Sequence, residues 1–410
     1  MRILIVGVRN PPETFIVRKI KGLIASGFEV CAASSDLVPK NSGQPGLQWI
    51  QLPPSTGRLA RLRSFLGHGL KGMVIRPHSV AKALESVSGR SRKWEYADIA
   101  SRLAGCRPDL VHFEWNLAAV QYLPLFDWLG APVVISCRGS QVLVIPHTGE
   151  KKEETAEISR TFAKAAAVHC VSESVKQAAI ELGLEPQKGI VIRPAVDPDF
   201  FAPPPQKSST DTLRLITSST PGWVKGPEYA LMAVRKLLDA GLKVKFQWIG
   251  GGSKADQQRL LYTIHDLGLV DIMELPGKQS PEQVRDSLQQ ADVFLLSSVS
   301  EGISNAALEA MSCGIPVVTS DCGGMREVIT NGMDGFITPL RDPAAMAEAM
   351  CRLATHPELR EQMGLAAREK ILGNFTLDIQ QHQWQALYKS VIQKKRTAPA
   401  EAAAVSLLSQ

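Results

Sequence analysis

Residues 293–311 read VFLLSSVSEGISNAALEAM, an apolar run followed by a polar turn and a helical pattern. The order strand, turn and helix is typical of one repeat of a parallel α/β sheet. Ser304 is a candidate N-cap, because its hydroxyl can accept a hydrogen bond from an amide of the first helical turn. The amides of Ile303, Ser304 and Asn305 would then point out of the helix start, where the helix dipole favours an anion such as a diphosphate.

Two glutamates flank this helix start. Glu301 lies in the turn, and Glu309 lies in the second turn of the predicted helix. Ionised carboxylates only accept hydrogen bonds, so a pair beside a phosphate site is suited to holding the hydroxyl groups of a ribose or a hexose. The alternative is that both residues are ordinary helix formers on a solvated face.

The same alternation of strand and helix patterns extends along most of the chain and indicates two successive doubly wound α/β domains. After a first helix at 14–26, a cluster of prolines at 194–205 predicts a linker or hinge between the domains. Ligands of open parallel sheets lie beyond the carboxyl ends of the strands, so we expect the site in the cleft between the two domains. Buried strands are predicted at 3–8, 28–33, 110–113, 133–136, 168–171 and 190–192, and then at 213–217, 243–249, 272–275, 293–297 and 316–320.

The predicted division of the chain follows from this alternation. It comprises an N-terminal domain at 1–193, a hinge at 194–212, a C-terminal domain at 213–375, a helix crossing back to the first domain at 376–394, and a flexible tail at 395–410.

Composition excludes several classes of protein. The 410 residues are 44% hydrophobic and 21% charged, which excludes a disordered chain and favours two domains over one. The net charge of +6 favours anionic partners only weakly, and the basic residues lack the aromatic interleaving of a nucleic-acid site. The 7 cysteines form no C-x-x-C pair, so neither a zinc site nor a disulfide framework is predicted, and a cytoplasmic location fits best. We expect no signal peptide and no membrane-spanning segment.

Residues 55–93 depart from the alternation and predict one or two basic amphipathic helices. The only acid in the segment is Glu85. One interpretation is a solvated insertion that packs its leucines on the first domain, and the other is contact with anionic lipid or an anionic acceptor. The basic residues are Arg58, Arg61, Arg63, Lys71, Arg76, Lys82, Arg90, Arg92 and Lys93, and the interleaved apolar residues are Leu59, Leu62, Phe65, Leu66 and Leu70.

Two further loops are candidates for holding an anion. Residues 220–226, TPGWVKG, include Gly222 and place Lys225 as a point charge for phosphate. The run GGGS begins at Gly250, where missing side chains allow a ligand to approach the backbone. Neither a G-x-G-x-x-G motif at the start of a domain nor a P-loop motif is present, so dinucleotide-binding and P-loop functions lose support.

With these motifs quoted, the chain resembles the retaining glycosyltransferases of the large bacterial family 4. Glu301 to Glu309 resembles the E-x7-E signature of that family, and the segment from Glu309 to Val318 resembles the residues that follow it. The resemblance covers about residues 1–375 and implies the GT-B architecture, two Rossmann-like doubly wound domains facing each other across a cleft. Further matches are Val171-Ser172-Glu173 with Val196-Asp197, Lys225-Gly226, Gly323-Gly324 with Glu327, and Asn331-Gly332 with Gly335-Phe336.

The resemblance also implies roles: the N-terminal domain would bind the acceptor, and the C-terminal domain would bind the nucleotide sugar. Glu309 would hold the ribose hydroxyls of a nucleoside diphosphate sugar, and Glu301 the hydroxyls of the transferred sugar. Lys225 and the amides of 302–305 would neutralise the diphosphate, and no protein base would be needed because the leaving phosphate assists the acceptor hydroxyl. Gly302, Ile303, Ser304, Asn305, Gly222, Gly250 and Lys278 complete the expected donor site. We expect UDP or GDP as the nucleotide and no metal requirement.

Three departures from the family pattern bear on the site. Thr220 stands where relatives carry an arginine, so Arg193 or Arg326 would have to supply the missing charge. Arg138 stands where relatives often place a histidine near the donor hexose, and it is either a catalytic residue that binds an acidic sugar or phosphate, or part of a structural salt bridge. The loop Asn10 to Phe15 resembles the form found in transferases of surface polysaccharides.

Several residues of the first domain keep two interpretations. Glu13 and Thr14 either contact the acceptor or cap the first helix. His112 is either a catalytic residue at a strand end facing the cleft or a hydrogen-bonded interior histidine. Trp115, Trp223 and Trp248 either stack on a sugar or base or pack in the interior.

The predicted function is transfer of a hexose from a nucleoside diphosphate sugar to a glycan or glycolipid acceptor, in surface polysaccharide synthesis. The enzyme would lie in the cytoplasm, either unattached or peripheral at the inner face of the plasma membrane through residues 55–93. One alternative is a GT-B enzyme with a soluble small acceptor, or a nucleotide-sugar epimerase. The other is a non-catalytic nucleotide-sugar-binding subunit, for which Thr220 and Arg138 are the motives.

Overall fold

The structure, a computed structural model, describes residues 1–38, 44–54, 57–75, 77–87, 93–149, 152–205 and 211–408. Its contacts divide the chain into two compact units. The first comprises Met1–Cys170, Lys176–Ile192 and the chain from Gln381 onward, and the second comprises Val171–Val175 and Arg193–Gln380.

The first unit forms a parallel sheet of seven strands among its described residues, in the order β3-β2-β1-β4-β5-β6-β7. The strands are β1 Arg2–Val6, β2 Glu29–Ser34, β3 Leu47–Gln51, β4 Leu110–Phe113, β5 Val133–Cys137, β6 Ala167–Cys170 and β7 Gly189–Val191. All except β3 were predicted within two residues. β3 is an edge strand with only one buried residue, Ile50, so its apolar pattern is too weak to indicate a strand.

Helices connect these strands. They are α1 Thr14–Ala25, α2 Arg58–Ser64, α3 Leu70–Ile75, α4 Pro77–Ser86, α5 Lys93–Leu103, α6 Asn116–Tyr122, α7 Phe126–Leu129, α8 Ser140–Leu143, α9 Lys152–Lys164 and α10 Glu173–Glu181. A π-helical segment, Phe65–Gly69, joins α2 to α3, and short 3₁₀ turns occupy Leu123–Leu125, Ile145–His147 and Pro186–Lys188.

The second unit forms a parallel sheet of six strands in the part of the chain that the structure describes, in the order β10-β9-β8-β11-β12-β13. The strands are β8 Leu213–Ser218, β9 Val244–Ile249, β10 Met273–Gly277, β11 Val293–Leu296, β12 Val317–Ser320 and β13 Gly335–Thr338. The helices are α11 Pro227–Asp239, α12 Lys254–Asp266, α13 Pro281–Gln290, α14 Asn305–Ser312, α15 Pro343–Thr355 and α16 Pro357–Asn374, with 3₁₀ turns at Trp223–Lys225, Val270–Ile272 and Gly323–Glu327. The sequence did not predict β13, an edge strand of four residues.

The last helix, α17, spans Leu377–Leu408. From Gln381 it belongs to the first unit, where Trp384 and Tyr388 join the core built by β1 and the apolar face of α1. The flexible tail predicted from residue 395 is helical as far as Leu408, because alanine favours helix. Residues 409 and 410 lie outside the described part of the chain.

The segment predicted as a hinge is packed in the second unit over part of its length. Phe201 is 1% exposed in the core of that unit, and the amide of Val196 donates to the carbonyl of Phe375 at 2.9 Å. Arg368 also donates to the carbonyls of Pro198 and Phe201. Residues 206–210 of the predicted hinge lie outside the described residues.

The basic insertion forms helices, but its leucines are not buried. Leu59, Leu62, Leu66 and Leu70 are between 41% and 74% exposed. Phe65, the aromatic member of the five predicted apolar residues, contacts Trp94, with 5.7 Å between the ring centroids. The prediction that the leucines pack on the first domain is therefore wrong. Arg76, Arg90 and Arg92 of this segment lie outside the described residues.

Candidate active site

The start of α14 in the second unit has the predicted form. The Ser304 hydroxyl accepts a hydrogen bond from the amide of Ala307 at 3.3 Å, which confirms Ser304 as the N-cap. Gly302 and Ile303 are buried before it, whereas Asn305, the first helical residue, is exposed. The helix thus begins at an exposed residue, and the amide donors at the start of a helix are suited to an anion.

Lys225 and Glu301 form an ion pair beside this helix start. The Lys225 ammonium donates to Glu301 Oε1, and the Ser298 hydroxyl donates to the same oxygen at 2.8 Å. The two side chains remain 28% and 11% exposed, so a ligand can reach both. A cation for phosphate and a carboxylate for hydroxyl groups therefore lie side by side.

Backbone contacts hold the two loops that carry this pair. The Ser297 hydroxyl donates to the Lys225 carbonyl at 2.9 Å, and the Val299 amide donates to the Val224 carbonyl at 2.8 Å. Gly226 has φ +59°, and a Cβ there would lie 2.3 Å from the Ser297 carbonyl oxygen. Only glycine allows this approach, so the sequence Lys225-Gly226 serves the geometry of the site.

A third loop, after β12, closes against Glu301. Gly323 has φ +52°, and a Cβ there would lie 1.6 Å from the Glu301 carbonyl oxygen. The Gly324 amide donates to the Gly302 carbonyl at 2.7 Å. Burial, with the Glu301 charge nearby, raises the pKa of the adjacent Cys322 thiol to about 12, so this thiol stays protonated. The sequence marked the glycine pair as a family match without giving it this role.

The other predicted donor residues lie on neighbouring strand ends and helices. Glu309 is half-buried in the second turn of α14. Gly222 precedes the 3₁₀ turn that carries Lys225. Gly250 follows β9 with φ +150°, and a Cβ there would lie 2.1 Å from the Ser219 carbonyl oxygen. Lys278 is exposed after β10, and its Cβ lies 3.9 Å from where a Cβ at Gly251 would be.

Both arginines considered as replacements at Thr220 are engaged elsewhere. Arg193 donates to Glu327 at 2.7 Å, and Arg326 donates to Asp321 at 2.7 Å. Thr220 itself is exposed. The second unit therefore presents Lys225 as the cation beside Glu301 in the described structure, with neither arginine paired to that carboxylate.

Arg138 follows β5 in the first unit and forms an ion pair with Glu114. Its Nη2 donates to Glu114 Oε2, and its Nε donates to the Glu114 carbonyl at 3.2 Å. The guanidinium lies over the Phe15 ring, 4.2 Å from the centroid. The salt bridge considered from the sequence exists, and the Arg138 side chain remains 16% exposed.

Glu13 occupies the N-cap position of α1, and Thr14 is the first helical residue. No side-chain hydrogen bond caps this helix within the described structure, so the capping interpretation is wrong for both residues. Glu13 Oε1 lies 3.6 Å from Arg9 Nε, and Thr14 is exposed.

His112 lies within β4 and is completely buried. Its Nδ1 is 2.8 Å from Lys19 Nζ and also contacts the Tyr388 hydroxyl, and its Nε2 is 2.8 Å from the Ser136 hydroxyl. Burial lowers the pKa of His112 well below its usual value, and the Lys19 cation adds to this effect. The prediction that His112 faces a cleft is wrong, because the structure makes it a hydrogen-bonded interior histidine.

The three tryptophans differ in exposure. Trp248 is buried, and its indole N–H donates to the Ser219 carbonyl at 2.9 Å. Trp115 is half-buried, and its indole N–H donates to the Gly7 carbonyl at 3.1 Å. Trp223, two residues before Lys225, is 54% exposed and remains a candidate for stacking.

Comparison with protein families agrees with this geometry. The model described as "Glycosyltransferase Family 4" matches residues 13–200, and the model described as "Glycosyl transferases group 1" matches residues 201–370. Together they cover residues 13–370. The chain is a family 4 glycosyltransferase. It shares 27% identity over 392 residues, 90% of this chain and 94% of the relative, with the protein of Escherichia coli K12 named as colanic acid biosynthesis glycosyltransferase WcaL.

Other relatives and solved structures agree with the family and the fold. The amylovoran biosynthesis glycosyltransferase AmsK of Erwinia amylovora is 30% identical over 56% of this chain and 57% of its own length. Sucrose-phosphate synthase from Thermosynechococcus elongatus matches 96% of this chain and 100% of its own with a TM-score of 0.76 at 17% identity. Anabaena HepE, solved with UDP-glucose, matches 95% of this chain and 100% of its own with a TM-score of 0.71 at 16% identity. The two parallel-sheet domains of this glycosyltransferase have the GT-B fold.

The structure of this glycosyltransferase brings together Lys225, Glu301 and the start of α14, as the sequence predicted. It also contains a buried pair that sequence reasoning missed, Lys19 and Glu114, with 2.6 Å between Nζ and Oε1. The signal was present in α1, where Lys19 lies on the same helical face as the buried Ile16 and Leu23. No helix within the described residues is long and apolar enough to cross a membrane.

Proposed function

We propose that this glycosyltransferase transfers a hexose from a nucleoside diphosphate sugar to a glycan or glycolipid acceptor in polysaccharide biosynthesis, with retention of configuration. The observation that carries the proposal is the contact of Lys225 with Glu301 beside the amides at the start of α14. Two relatives are named for colanic acid and amylovoran biosynthesis, which favours a polysaccharide product. HepE was solved with UDP and with UDP-glucose, which makes UDP the first nucleotide to test and GDP the second.

In this proposal the second unit binds the donor. Lys225 and the amides of 302–305 neutralise the diphosphate as its bond to the sugar lengthens, the point at which negative charge develops. Glu301 accepts hydrogen bonds from the transferred sugar, and Glu309 accepts them from the ribose. A diphosphate competes with Glu301 for the Lys225 ammonium, which releases the carboxylate toward sugar hydroxyls.

The acceptor hydroxyl passes its proton to the leaving phosphate, so no protein base is assigned. His112, the histidine considered for the site, is completely buried and held by hydrogen bonds. Lys225 and the helix start supply the positive potential at the diphosphate, and we propose that transfer needs no added metal. The acceptor binds the first unit, where Glu13, Thr14 and Arg138 follow the carboxyl ends of β1 and β5.

The ribose role of Glu309 predicts a nucleotide-dependent stabilisation. In a thermal-shift panel of UDP, GDP, ADP, dTDP and CMP, one diphosphate at about 100 times its Kd should raise the Tm of the wild type by about 5 °C. Glu309→Ala should remove most of that shift, because the ribose hydroxyls lose their acceptor. Glu348→Ala, which alters an exposed glutamate of α15, is the matched control and should keep the shift. The donor assignment fails if no nucleotide stabilises the wild type.

The exposed insertion supports a further part of the proposal, binding to an anionic membrane at the inner face of the plasma membrane. Leu59, Leu66, Leu70 and Val74 recur at helical spacing and are 44% to 81% exposed. The segment 55–93 carries nine basic residues against one acid. An exposed apolar stripe flanked by cations is the pattern of a helix that lies in a bilayer interface.

Vesicle sedimentation tests this membrane contact. The wild type should pellet with phosphatidylglycerol vesicles and stay in the supernatant with phosphatidylcholine vesicles, because the attraction to anionic lipid is electrostatic. The double variant Leu66→Ser/Val74→Ser should bind anionic vesicles at least about 10-fold more weakly, since it removes apolar insertion. Leu261→Ser, an equally exposed leucine of α12, should bind as the wild type does. Equal binding by the double variant and the control contradicts the proposal.

A further inference from the structure

The interior of the first unit contains a cluster of charged side chains with more cations than carboxylates. Glu114 is 0% exposed, and its two carboxylate oxygens accept hydrogen bonds from Lys19 and Arg138 respectively. Lys19 is 2% exposed in its side chain and also lies 3.8 Å from the centroid of the Trp384 ring. Within the described residues no second carboxylate forms an ion pair with either cation. When Lys19 is protonated, the cluster therefore carries one more positive than negative charge.

A chain of hydrogen bonds fixes the direction in which Lys19 donates. It ends at the Ile192 carbonyl, which can only accept, so His169 must donate from Nε2 at 2.9 Å and accept at Nδ1. Ser136 then donates to His169 Nδ1 at 2.8 Å and accepts from His112 Nε2 at 2.8 Å. This leaves His112 Nδ1 as an acceptor.

The order of these protons makes Lys19 a donor in two directions. It donates to Glu114 Oε1 at 2.6 Å, and it shares the single lone pair of His112 Nδ1, 2.8 Å away, with the Tyr388 hydroxyl. Because one oxygen of Glu114 is committed to Lys19, only the other oxygen pairs with Arg138. Lys19 thus withdraws part of the carboxylate charge that would otherwise neutralise Arg138.

Arg138 keeps donor capacity at the carboxyl edge of the sheet. Two of its nitrogens, Nε and Nη2, donate to Glu114, while Nη1 makes no hydrogen bond to the described residues. Phe15 and Trp115 lie 4.2 Å and 5.8 Å from its guanidinium carbon and restrict the plane of the group. A guanidinium held in one plane, with free N–H groups and a surplus of positive charge, is suited to a carboxylate or phosphate.

We propose that Arg138 is an anion-binding group of the first unit and that Lys19 is the positioning residue that keeps it available by sharing the charge of Glu114. The ligand is a carboxylate or phosphate carried by the acceptor, the substrate that the first unit binds. This inference rests on the proposed function, because it names the chemistry of one substrate of that reaction.

Lys19 also makes this affinity dependent on pH. Burial lowers the pKa of Lys19 to about 7, and the Glu114 carboxylate opposes that effect. Burial lowers the pKa of His169 to about 3 and lowers the pKa of His112 well below its usual value, so neither histidine titrates near neutrality. Burial opposes ionisation of Glu114, but the Lys19 and Arg138 cations together hold its pKa well below the usual range.

The other groups against Lys19 are the rings of Trp384 and Tyr388, both from α17. The pKa of Tyr388 is raised well above its usual value by burial, so it too stays neutral. Lys19 is therefore the group of this cluster that loses its proton as pH rises through about 7. The charge of Glu114 then neutralises that of Arg138, the remaining cation of the cluster, and the affinity of Arg138 for an anion falls.

The test compares matched pairs of ligands by calorimetric titration at pH 6 and pH 8. Decyl glucuronide against decyl glucoside examines an acceptor carboxylate, and methyl decyl phosphate against decyl glucoside examines an acceptor phosphate; both anions keep a constant charge between these pH values. At pH 6 the wild type should prefer the anionic member of at least one pair by about 10-fold, and the preference should shrink at pH 8. Which pair shows the preference identifies the kind of anion.

Variants separate positioning from mere support of the fold. Arg138→Gln and Lys19→Met should both lose the anionic preference, so that each variant binds the anionic and the neutral member of a pair with similar Kd. Lys19→Arg, which cannot lose its charge, should keep the preference at both pH values. Arg160→Gln, an arginine of α9 that is 72% exposed in its side chain, is the control and should match the wild type.

Equal affinity of the wild type for both members of both pairs at pH 6 overturns the inference. An anionic preference that Lys19→Met leaves intact overturns the role of Lys19. If that variant fails to fold, the pH profile of the wild type decides, because an undiminished preference at pH 8 also contradicts the role of Lys19. Failure of the proposed donor is distinguishable, since UDP-glucose then fails to bind while the preference for the anionic acceptor analogue persists.

Discussion

Lys225→Ala is expected to lower the kcat of hexosyl transfer by about 100- to 1,000-fold. Lys225 is the cation in contact with Glu301 at the start of α14, and the chain has Thr220 where relatives carry an additional arginine. Loss of the ammonium therefore leaves the departing diphosphate with helix amides alone. The substitution also leaves Glu301 without its charged partner, although the Ser298 hydroxyl still donates to it at 2.8 Å.

Single-turnover rates with UDP-glucose or the nucleotide found in the thermal-shift panel measure this effect. Lys236→Ala, at an exposed lysine of α11, is the matched control and should retain full activity. Unfolding of both variants should resemble that of the wild type, because Lys225 is a half-exposed side chain on a turn. A loss smaller than about 3-fold would show that the diphosphate is neutralised elsewhere.

Gly323→Ala is expected to lower the free energy of unfolding by about 3 kcal/mol and to reduce transfer at least about 100-fold. A Cβ at this position would lie 1.6 Å from the carbonyl oxygen of Glu301, so one of the two loops must move. Movement of either loop disturbs the hydrogen bond between Gly324 and Gly302, and movement of the Glu301 loop also displaces the carboxylate of the candidate site. The substitution thus couples a backbone clash to the geometry of the candidate site.

Gly241→Ala is a control that separates the effect of the steric clash from the effect of the left-handed backbone conformation. Gly241 has φ +81°, comparable to the +52° of Gly323, but a Cβ there would meet no atom within 4 Å. This control should cost only about 1 kcal/mol and leave transfer unchanged, since it carries the strain of a left-handed residue without the contact. Chemical denaturation and initial rates on the two purified variants give both quantities. Equal losses in the two variants would assign the effect to φ alone.

Much of the second unit could be predicted from local sequence. The strand that ends at Leu296, the N-cap at Ser304 and the helix that carries Glu309 follow one another within 20 residues, so hydrophobic pattern and capping chemistry suffice. The family resemblance implied that Lys225 and Glu301 belong to one donor site. Their contact is consistent with the fold, since both loops follow strands of one parallel sheet. The edge strand β3 was missed because Ile50 is its only buried residue, and β13, with the sequence GFIT, was missed because only Phe336 and Ile337 in it are apolar.

The first unit was harder to predict because its decisive contacts join residues far apart in the chain. The sequence left His112 between two interpretations, and the partners that bury it come from α1, β5 and α17. Glu114 and Lys19 are 95 residues apart, so no local pattern indicates their pairing. The leucines of residues 58–75 follow an amphipathic pattern, yet a pattern does not say whether its apolar face meets protein or remains exposed.

The sequence alone determined the parallel α/β repeats, the helix start at Ser304 and the glycosyltransferase motifs, because each depends on neighbouring residues and on turn chemistry. Tertiary structure decided that His112 is interior, that Gly323 closes on Glu301 and that Arg138 shares Glu114 with Lys19. The physical reason is that burial and charge pairing depend on which distant segments the folded chain brings within a few ångströms. Periodicity along the sequence carries no information about those distances.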